Sequence, residues 1–267
     1  MLGSGGTGFD VDALIAAAEA AADVAGTVIR PFFRAGVAAD QKSDESPVTI
    51  ADRNAELALR AMLGERFPTH GILGEEFAAT NPGAELCWVL DPIDGTRAFI
   101  TGRPVFGTLI ALLRDGRPIL GIIDQPMTGE RWIGAAGRPT VFRGGFGGRA
   151  GCRPCPALAG AELSLTSAEV FDAREFSRWE RLRRGVRRTT YGGDCYAYGL
   201  LALGQIDVIA EATMKVWDWA ALVPVVEGAG GRFTDWHGRA MTMESTGHTL
   251  AVGDPALLEP AMAALAA

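Results

Sequence analysis

The sequence predicts an α/β protein of the α+β kind, antiparallel in its first half and alternating between helix and strand in its second. Three observations carry the prediction. Two segments with helical periodicity come first, over Val11 to Phe33 and Val48 to Phe67. Short apolar segments follow at 71–74, 87–90, 105–113, 119–124 and 131–134, separated by turn signals such as Arg114-Asp115-Gly116 and Thr128-Gly129. That is the pattern of antiparallel neighbours. After the glycine-rich turn Gly144-Gly145-Phe146-Gly147-Gly148, helical and strand patterns take turns.

In chain order, residues 1–8 are rich in glycine and are expected to be flexible. The first helix puts Ala13, Ala16, Ala17 and Ala20 on an apolar stripe. Lys42-Ser43-Asp44 and Pro47-Val48-Thr49-Ile50-Ala51-Asp52 lead into the second helical pattern, Asn54 to Phe67. With the strands that follow, these make an N-terminal α+β half over residues 9–148. A C-terminal α/β half, 149–267, has helices at Ala173 to Arg184, Tyr196 to Leu203, Trp217 to Ala229 and Pro255 to Ala266, and strands near 186–190, 206–210 and 249–252. At 267 residues and 48% hydrophobic content, the chain can bury a substantial core, as one large domain or as two closely packed halves. It contains no internal repeat.

Composition narrows the function. A net charge of −7 argues against a general nucleic-acid binder, and the cluster Arg178, Arg181, Arg183, Arg184, Arg187 and Arg188 reads as a solvated helix face and its C-terminal end. No apolar run is long enough to span a bilayer, and residues 1–8 lack the basic start and apolar core of a signal peptide, so a cytoplasmic location is expected. Cys152-Arg153-Pro154-Cys155 has metal-ligand spacing, yet Cys87 and Cys195 form no second pair to complete a zinc site, and the two read as ordinary loop thiols. His70, His237 and His248 show no zinc-protease spacing and read as loop or surface residues.

The chemistry concentrates elsewhere. Trp88-Val89-Leu90-Asp91-Pro92-Ile93-Asp94-Gly95-Thr96 is an apolar run that ends in two carboxylates three residues apart, followed by Gly-Thr. A strand ending here delivers Asp91 to a sheet edge, where Pro92 stops regular pairing and the chain can turn Asp94 back toward the same point. Two such acids repel phosphate unless a divalent cation lies between them, and Mg²⁺ suits an all-oxygen site. The alternative is an Asp-Pro turn with an Asx cap. Gly71-Ile72-Leu73-Gly74 likewise runs into Glu75-Glu76, so two strands ending in acids can set them side by side. Asp218 falls in the first turn of the helix opened by Val216-Trp217, where the dipole favours an anion whether or not it binds metal. Asp52 falls near a first turn too, where capping is its simplest role.

Taken together, Gly74-Glu75-Glu76, the DPIDGT segment at 91–96 and the WDWAALVPVVEGAGG segment at 217–231 resemble the three signature segments of the inositol monophosphatase family, in order and at suitable separations. The resemblance runs from about residue 10 onward, and around DPIDGTRAF it is nearest to the histidinol-phosphate phosphatases. Ala98 stands where the inositol phosphatases generally carry Asn. The resemblance implies a layered αβαβα sandwich, a homodimer, and two or three Mg²⁺ per active site. It implies that Glu75, Asp91 and the Ile93 carbonyl bind one Mg²⁺, and that Asp91, Asp94 and Asp218 bind a second. Gly95 and Thr96 fall where the family contacts phosphate, and Asp52 where an acid bonds the threonine hydroxyl that orients the attacking water. Glu75, Thr96 and Asp52 are thus the catalytic candidates.

The implied reaction is hydrolysis of a small-molecule phosphate monoester by metal-activated water, without a phosphoenzyme. Glu211 lies seven residues before Asp218, where the inositol phosphatases use an acid on sugar hydroxyls. Asp194 lies in a segment that lines the family's substrate pocket. Two acids suit a cationic leaving group such as histidinol, though Asp194 also reads as an N-cap and Glu211 as a cap or surface charge. Three readings follow: an Mg²⁺-dependent histidinol-phosphatase of histidine biosynthesis, a phosphatase acting on inositol 1-phosphate or another small monoester, and a non-catalytic metal- or phosphate-binding protein.

Overall fold

The computed structural model describes residues 10–36, 38–41 and 47–266; residues 1–8 and Lys42-Ser43-Asp44 lie outside them. The first half of the chain builds α1 (Val11–Ile29), the short pair β1 (Ala39–Gln41) and β2 (Pro47–Thr49), α2 (Ile50–Arg66), β3 (Gly71–Gly74), β4 (Leu86–Asp94) and α3 (Thr96–Ile100). A meander follows, made of β5 (Gly107–Arg114), β6 (Arg117–Gln125), β7 (Glu130–Ala135) and β8 (Val141–Arg143). Then come β9 (Glu162–Leu165), α4 (Ala173–Gly185), β10 (Arg188–Tyr191), α5 (Asp194–Leu201) and β11 (Val208–Glu211). The chain ends with α6 (Val216–Trp219), α7 (Leu222–Gly228), β12 (Arg232–Thr234), β13 (Thr249–Val252) and α8 (Leu258–Ala266). None of these helices is long and apolar enough to cross a membrane.

Two mixed sheets result, one in the order β3-β4-β5-β6-β7-β8, the other β10-β9-β11-β13-β12. Alternation along the strands sorts their side chains into separate cores. Trp88 and Leu90 of β4 and Ile110 and Leu112 of β5 pack with Leu14, Ala21, Ala25, Leu59 and Leu63 of α1 and α2. Their neighbours Val89, Leu109, Ala111 and Leu113 face the other way, onto Leu201 of α5, Trp219 of α6 and Val225 of α7. Those middle helices also cover Ile209 and Ala251 of the second sheet. Val208, Ala210, Leu250 and Val252 face outward, onto Trp179 and Leu182 of α4 and Ala261 and Leu265 of α8. The layers therefore run αβαβα. Both sheets are covered on both faces, which is why their strands read as continuous apolar runs.

Several expectations need correction. The buried stripe of α1 is Leu14, Ala17, Ala18, Ala21, Ala22 and Ala25, with Ala16 exposed; in so alanine-rich a helix several faces are equally apolar, and the larger Leu14 and Ile29 select one. The segment 217–229 is two helices, because Pro224 has no N–H to bond the Ala220 carbonyl a turn earlier. β3 pairs parallel with β4, not antiparallel. Strands β1, β2, β8, β9 and β12 were not anticipated; all but the four-residue β9 have three residues, too few for an apolar pattern to show. The arginine cluster is only partly solvated: Arg181 donates to the Ala264 carbonyl at 3.3 Å, and Arg178 bonds the Leu265 carbonyl and lies over the Trp236 ring, tying α8 to α4.

The middle layer sits close against the first sheet. A Cβ on Gly121 would overlap the Ala221 carbonyl, and one on Gly134 would overlap the backbone at Pro224. Gly121→Ala should therefore destabilise the protein by about 2 kcal/mol through overpacking, measured by chemical denaturation. A change within error would mean that α6 and α7 can shift without cost.

Candidate active site

Asp91 and Asp94 are three residues apart on β4, and an unbroken strand would turn them to opposite faces. The sheet register shows how they converge. Asp91 pairs with Leu109 and Asp94 with Gly107, so Pro92 and Ile93 together oppose Thr108 alone. That is a β-bulge, whose extra residue restores a common face. The Thr108 hydroxyl donates to the Pro92 carbonyl at 2.8 Å, and the Ile93 N–H donates to Asp91 Oδ1 at 3.0 Å. Pro92 therefore does not end the pairing at a sheet edge, as expected from sequence. β4 lies inside the sheet, and pairing resumes at Asp94.

Other elements bring their acids to the same point. β3 aligns Gly74 with Leu90, and the Glu75 N–H donates to the Leu90 carbonyl at 3.2 Å, so Glu75 stands beside Asp91. Asp218, in the single turn of α6, accepts the Lys215 N–H at 2.7 Å. Asp94 accepts the Cys195 N–H at the start of α5 at 2.5 Å. One oxygen from each of Asp91, Asp94 and Asp218 lies within 4.8 Å of the other two. Asp52 both caps and reaches the site: its Oδ2 accepts the Thr49 N–H at 2.9 Å and the Thr49 hydroxyl at 2.5 Å, while its Oδ1 lies 3.4 Å from the Thr96 hydroxyl. That hydroxyl is also 3.1 Å from the Ile93 carbonyl.

A cleft of about 770 Å³ brings together Glu75, Asp91, Ile93, Asp94, Gly95, Thr96, Asp194 and Asp218. A smaller cavity of about 120 Å³ shares Asp94, Asp194 and Asp218 with it and adds Glu211. Gly95 has φ +87°, and a Cβ there would come within 2.8 Å of the Asp194 side chain, so glycine is required twice over. Asp194 is not the N-cap of α5, a position held by Gly193. Instead it takes φ +44°, and Thr213 in the same cleft takes φ +62°, conformations uncommon for residues other than glycine. Glu211 is buried and accepts both the N–H and the hydroxyl of Thr166, at 3.0 and 2.7 Å.

The sequence reading missed Arg97, Arg103, Thr166, Glu169 and Thr213, which also line the cleft. Arg97 and Glu169 pair at 2.7 Å, joining α3 to the second half of the chain. Only the position of Arg97 and Arg103 just after DPIDGT could have signalled any of them.

Burial pushes the Asp91 carboxyl well above the ordinary range, and the charges of Glu75, Asp94, Asp218 and Asp52 push it further. Burial and then Asp194 do the same to Asp94. Asp218 is pushed up to about 7, chiefly by burial. Glu211 rises to about 7 by burial, opposed by its bonds from Thr166. Asp194 rises to about 6 by burial, opposed by Arg103 and Arg97. A crowd of hard oxygen donors that raise one another's pKa fits a divalent cation, whose charge turns their repulsion into attraction.

A sequence model of the inositol monophosphatase family matches residues 10–266. The bifunctional phosphatase IMPL2, chloroplastic, of Arabidopsis thaliana is 47% identical over 244 residues, 91% of this chain and 70% of that one. The histidinol-phosphatase of Mycobacterium tuberculosis is 40% identical over 210 residues, 75% of this chain and 78% of that one. Among solved structures, an inositol monophosphatase from Zymomonas mobilis superposes with a TM-score of 0.88 at 50% identity, covering 96% of this chain and 99% of that one. The chain belongs to the inositol monophosphatase family, and it is a phosphoric monoester hydrolase.

The raised carboxyls have a consequence for the metal-free protein. Folded Asp194, Asp218 and Glu211 hold protons that the unfolded chain releases near pH 4. Their contribution to stability is full below that range and is lost as pH rises through about 6 to 7. The melting temperature without metal should fall from about pH 5 to about pH 8, and Mg²⁺ should raise it more at the higher pH. A melting temperature without metal that is flat or rises over this range would contradict the assignment.

Proposed function

We propose that this chain hydrolyses L-histidinol phosphate to L-histidinol and phosphate with Mg²⁺ as cofactor, a step of histidine biosynthesis. The observation that carries the metal assignment is the convergence of Asp91, Asp94 and Asp218 within 4.8 Å, beside Glu75 and Thr96 in one cleft. Glu75, Asp91 and the Ile93 carbonyl would hold one Mg²⁺, and Asp91, Asp94 and Asp218 a second. When bound, such cations neutralise phosphoryl oxygens and acidify water.

The chain's own residues orient the reactants. The Thr96 hydroxyl has one proton and two acceptors in reach, the Ile93 carbonyl and Asp52 Oδ1. Were that carbonyl to hold a cation, the proton would be directed to Asp52, and the Thr96 oxygen could then accept a hydrogen bond from the attacking water. Asp52 is held for this by Thr49, which occupies its other oxygen. Gly95 and Thr96 would contact the phosphate. Asp91 and Asp94 serve as ligands, so no side chain need form a covalent intermediate.

Asp194 and Glu211 would face the alcohol part of the substrate, where acids favour the protonated amine or imidazole of histidinol over a neutral polyol. The relatives named histidinol-phosphatase, from Mycobacterium tuberculosis and Chlorobaculum parvum, support the same reading. Inositol 1-phosphate is the second reading, favoured by the 50% identity to the Zymomonas mobilis protein.

Comparing kcat/KM for histidinol phosphate and inositol 1-phosphate, with Mg²⁺ and with chelator, tests the proposal. A Mg²⁺-dependent preference for histidinol phosphate is expected; equal or reversed rates would sink the substrate assignment. Asp94→Asn should lower kcat/KM by roughly a hundredfold or more through lost metal binding, and an unchanged rate would refute the two-metal scheme. Glu211→Ala should raise KM for histidinol phosphate about tenfold, the scale of one lost charge contact, with little effect on an aryl phosphate. Equal losses on both would remove its role in specificity.

A further inference from the structure

One buried charge pair lies outside the carboxylate cluster and yet holds part of it. Glu56 is on α2, one turn after Asp52 and so on the same face of the helix. Its side chain is completely buried. Arg60 Nε donates to its Oε1 at 2.7 Å, and the other donors come from the backbone just beyond Glu75. The Glu76 N–H donates to Glu56 Oε2 at 2.7 Å and the Phe77 N–H to Oε1 at 3.3 Å. Arg60 closes the loop by donating through Nη2 to the Phe77 carbonyl at 2.9 Å. On the near side the carboxylate packs against Gly74 so tightly that any Cβ there would overlap it.

Glu75 is therefore clamped from three directions. Gly74 before it abuts Glu56, its own N–H is bonded to β4, and the two N–H groups after it are bonded to Glu56. The same helix holds Asp52 against Thr96, so α2 sets two parts of the site at once.

We propose that Glu56, locked by Arg60, is a positioning residue that aims Glu75 at the metal site and thereby sets its affinity for divalent cations. The proposal rests on the reading of Glu75 as a metal ligand. A burden of this kind is what hydrogen-bonded partners behind a ligand carry elsewhere, with losses of roughly ten- to a hundredfold in metal affinity when they are removed. Glu56→Gln keeps the shape but replaces one acceptor oxygen with a donor facing N–H groups, which must turn the Glu76–Phe77 backbone.

The test is calorimetric titration of Mg²⁺ alone into the metal-free full-length protein, alongside Glu75→Gln, Glu56→Gln and Arg60→Lys. Glu56→Gln should bind Mg²⁺ about tenfold or more weakly, with a far-ultraviolet circular dichroism spectrum like that of the parent. Its kcat at saturating Mg²⁺ should recover toward the parent value, because Gly95 and Thr96 are untouched. Arg60→Lys, which keeps the charge but loses the fork to Glu56 and Phe77, should shift affinity in the same direction by less. If Glu75→Gln weakens Mg²⁺ binding but a folded Glu56→Gln does not, the positioning role is overturned. If Glu75→Gln itself binds Mg²⁺ as the parent does, the ligand assignment beneath the proposal fails instead. Should Glu56→Gln not fold, Arg60→Lys decides, and parental affinity in it overturns the proposal.

Discussion

The constraint on which the structure turns is mutual repulsion among closely set carboxylates, one buried and two half-buried. Asp91, Asp94 and Asp218 approach within 4.8 Å, and each is driven above its ordinary pKa first by burial and then by neighbouring carboxylates: Glu75, Asp94, Asp218 and Asp52 for Asp91, Asp194 and Asp218 for Asp94, and Glu75 and Glu211 for Asp218. Such groups stay together only if the backbone leaves them no alternative. Each accepts one backbone N–H, from Ile93, Cys195 and Lys215 respectively. Those bonds offset part of the repulsion and fix the direction of each carboxylate, so little rearrangement remains when a cation binds.

The layers supply those N–H groups. The site lies at one end of the first sheet, where the starts of α2, α5 and α6 come together around the bulge of β4. Helix starts present free N–H groups and a positive dipole end, which is where anions cost least. The bond from Cys195 to Asp94 spans the gap between the middle layer and the sheet, and it forms only because α5, α6 and α7 seat closely there. Gly121 and Gly134 permit that approach. Core packing and ligand geometry thus meet at the helices of the middle layer, where Ala221 and Pro224, against Gly121 and Gly134, follow Asp218 by three and six residues.

Much of this was legible in the residues. The acids at 75, 91, 94 and 218 stood out because each closes an apolar segment or opens a helix, and the turn signals between strands marked the meander β5 to β7. The convergence of Asp91 and Asp94 was expected, but for the wrong local reason. A bulge is a relation between two strands, and nothing in β4 alone tells that Thr108 will stand opposite two residues. The parallel pairing of β3 with β4 was hidden likewise, since apolar content does not encode strand direction. By contrast, the break between α6 and α7 was open to view in Pro224. Glu56 looked like an ordinary acid on a helix, because its partners at Gly74, Glu76 and Phe77 are defined only once α2 packs on the sheet.

By itself the sequence determined the α/β class, the longer helices and strands of the two halves, the residues of the acidic cluster and the kinship that makes the chain a phosphoric monoester hydrolase. These depend on local chemistry: which segments are apolar, where proline and glycine stand, and which residues can ligate through oxygen. Only the tertiary structure decided which alanine face of α1 is buried, how β3 runs relative to β4, and that Glu169, Thr166 and Thr213 come to the cleft from far along the chain. Those outcomes depend on which surfaces fit together, and close packing between layers is a property of pairs of elements that no single segment carries.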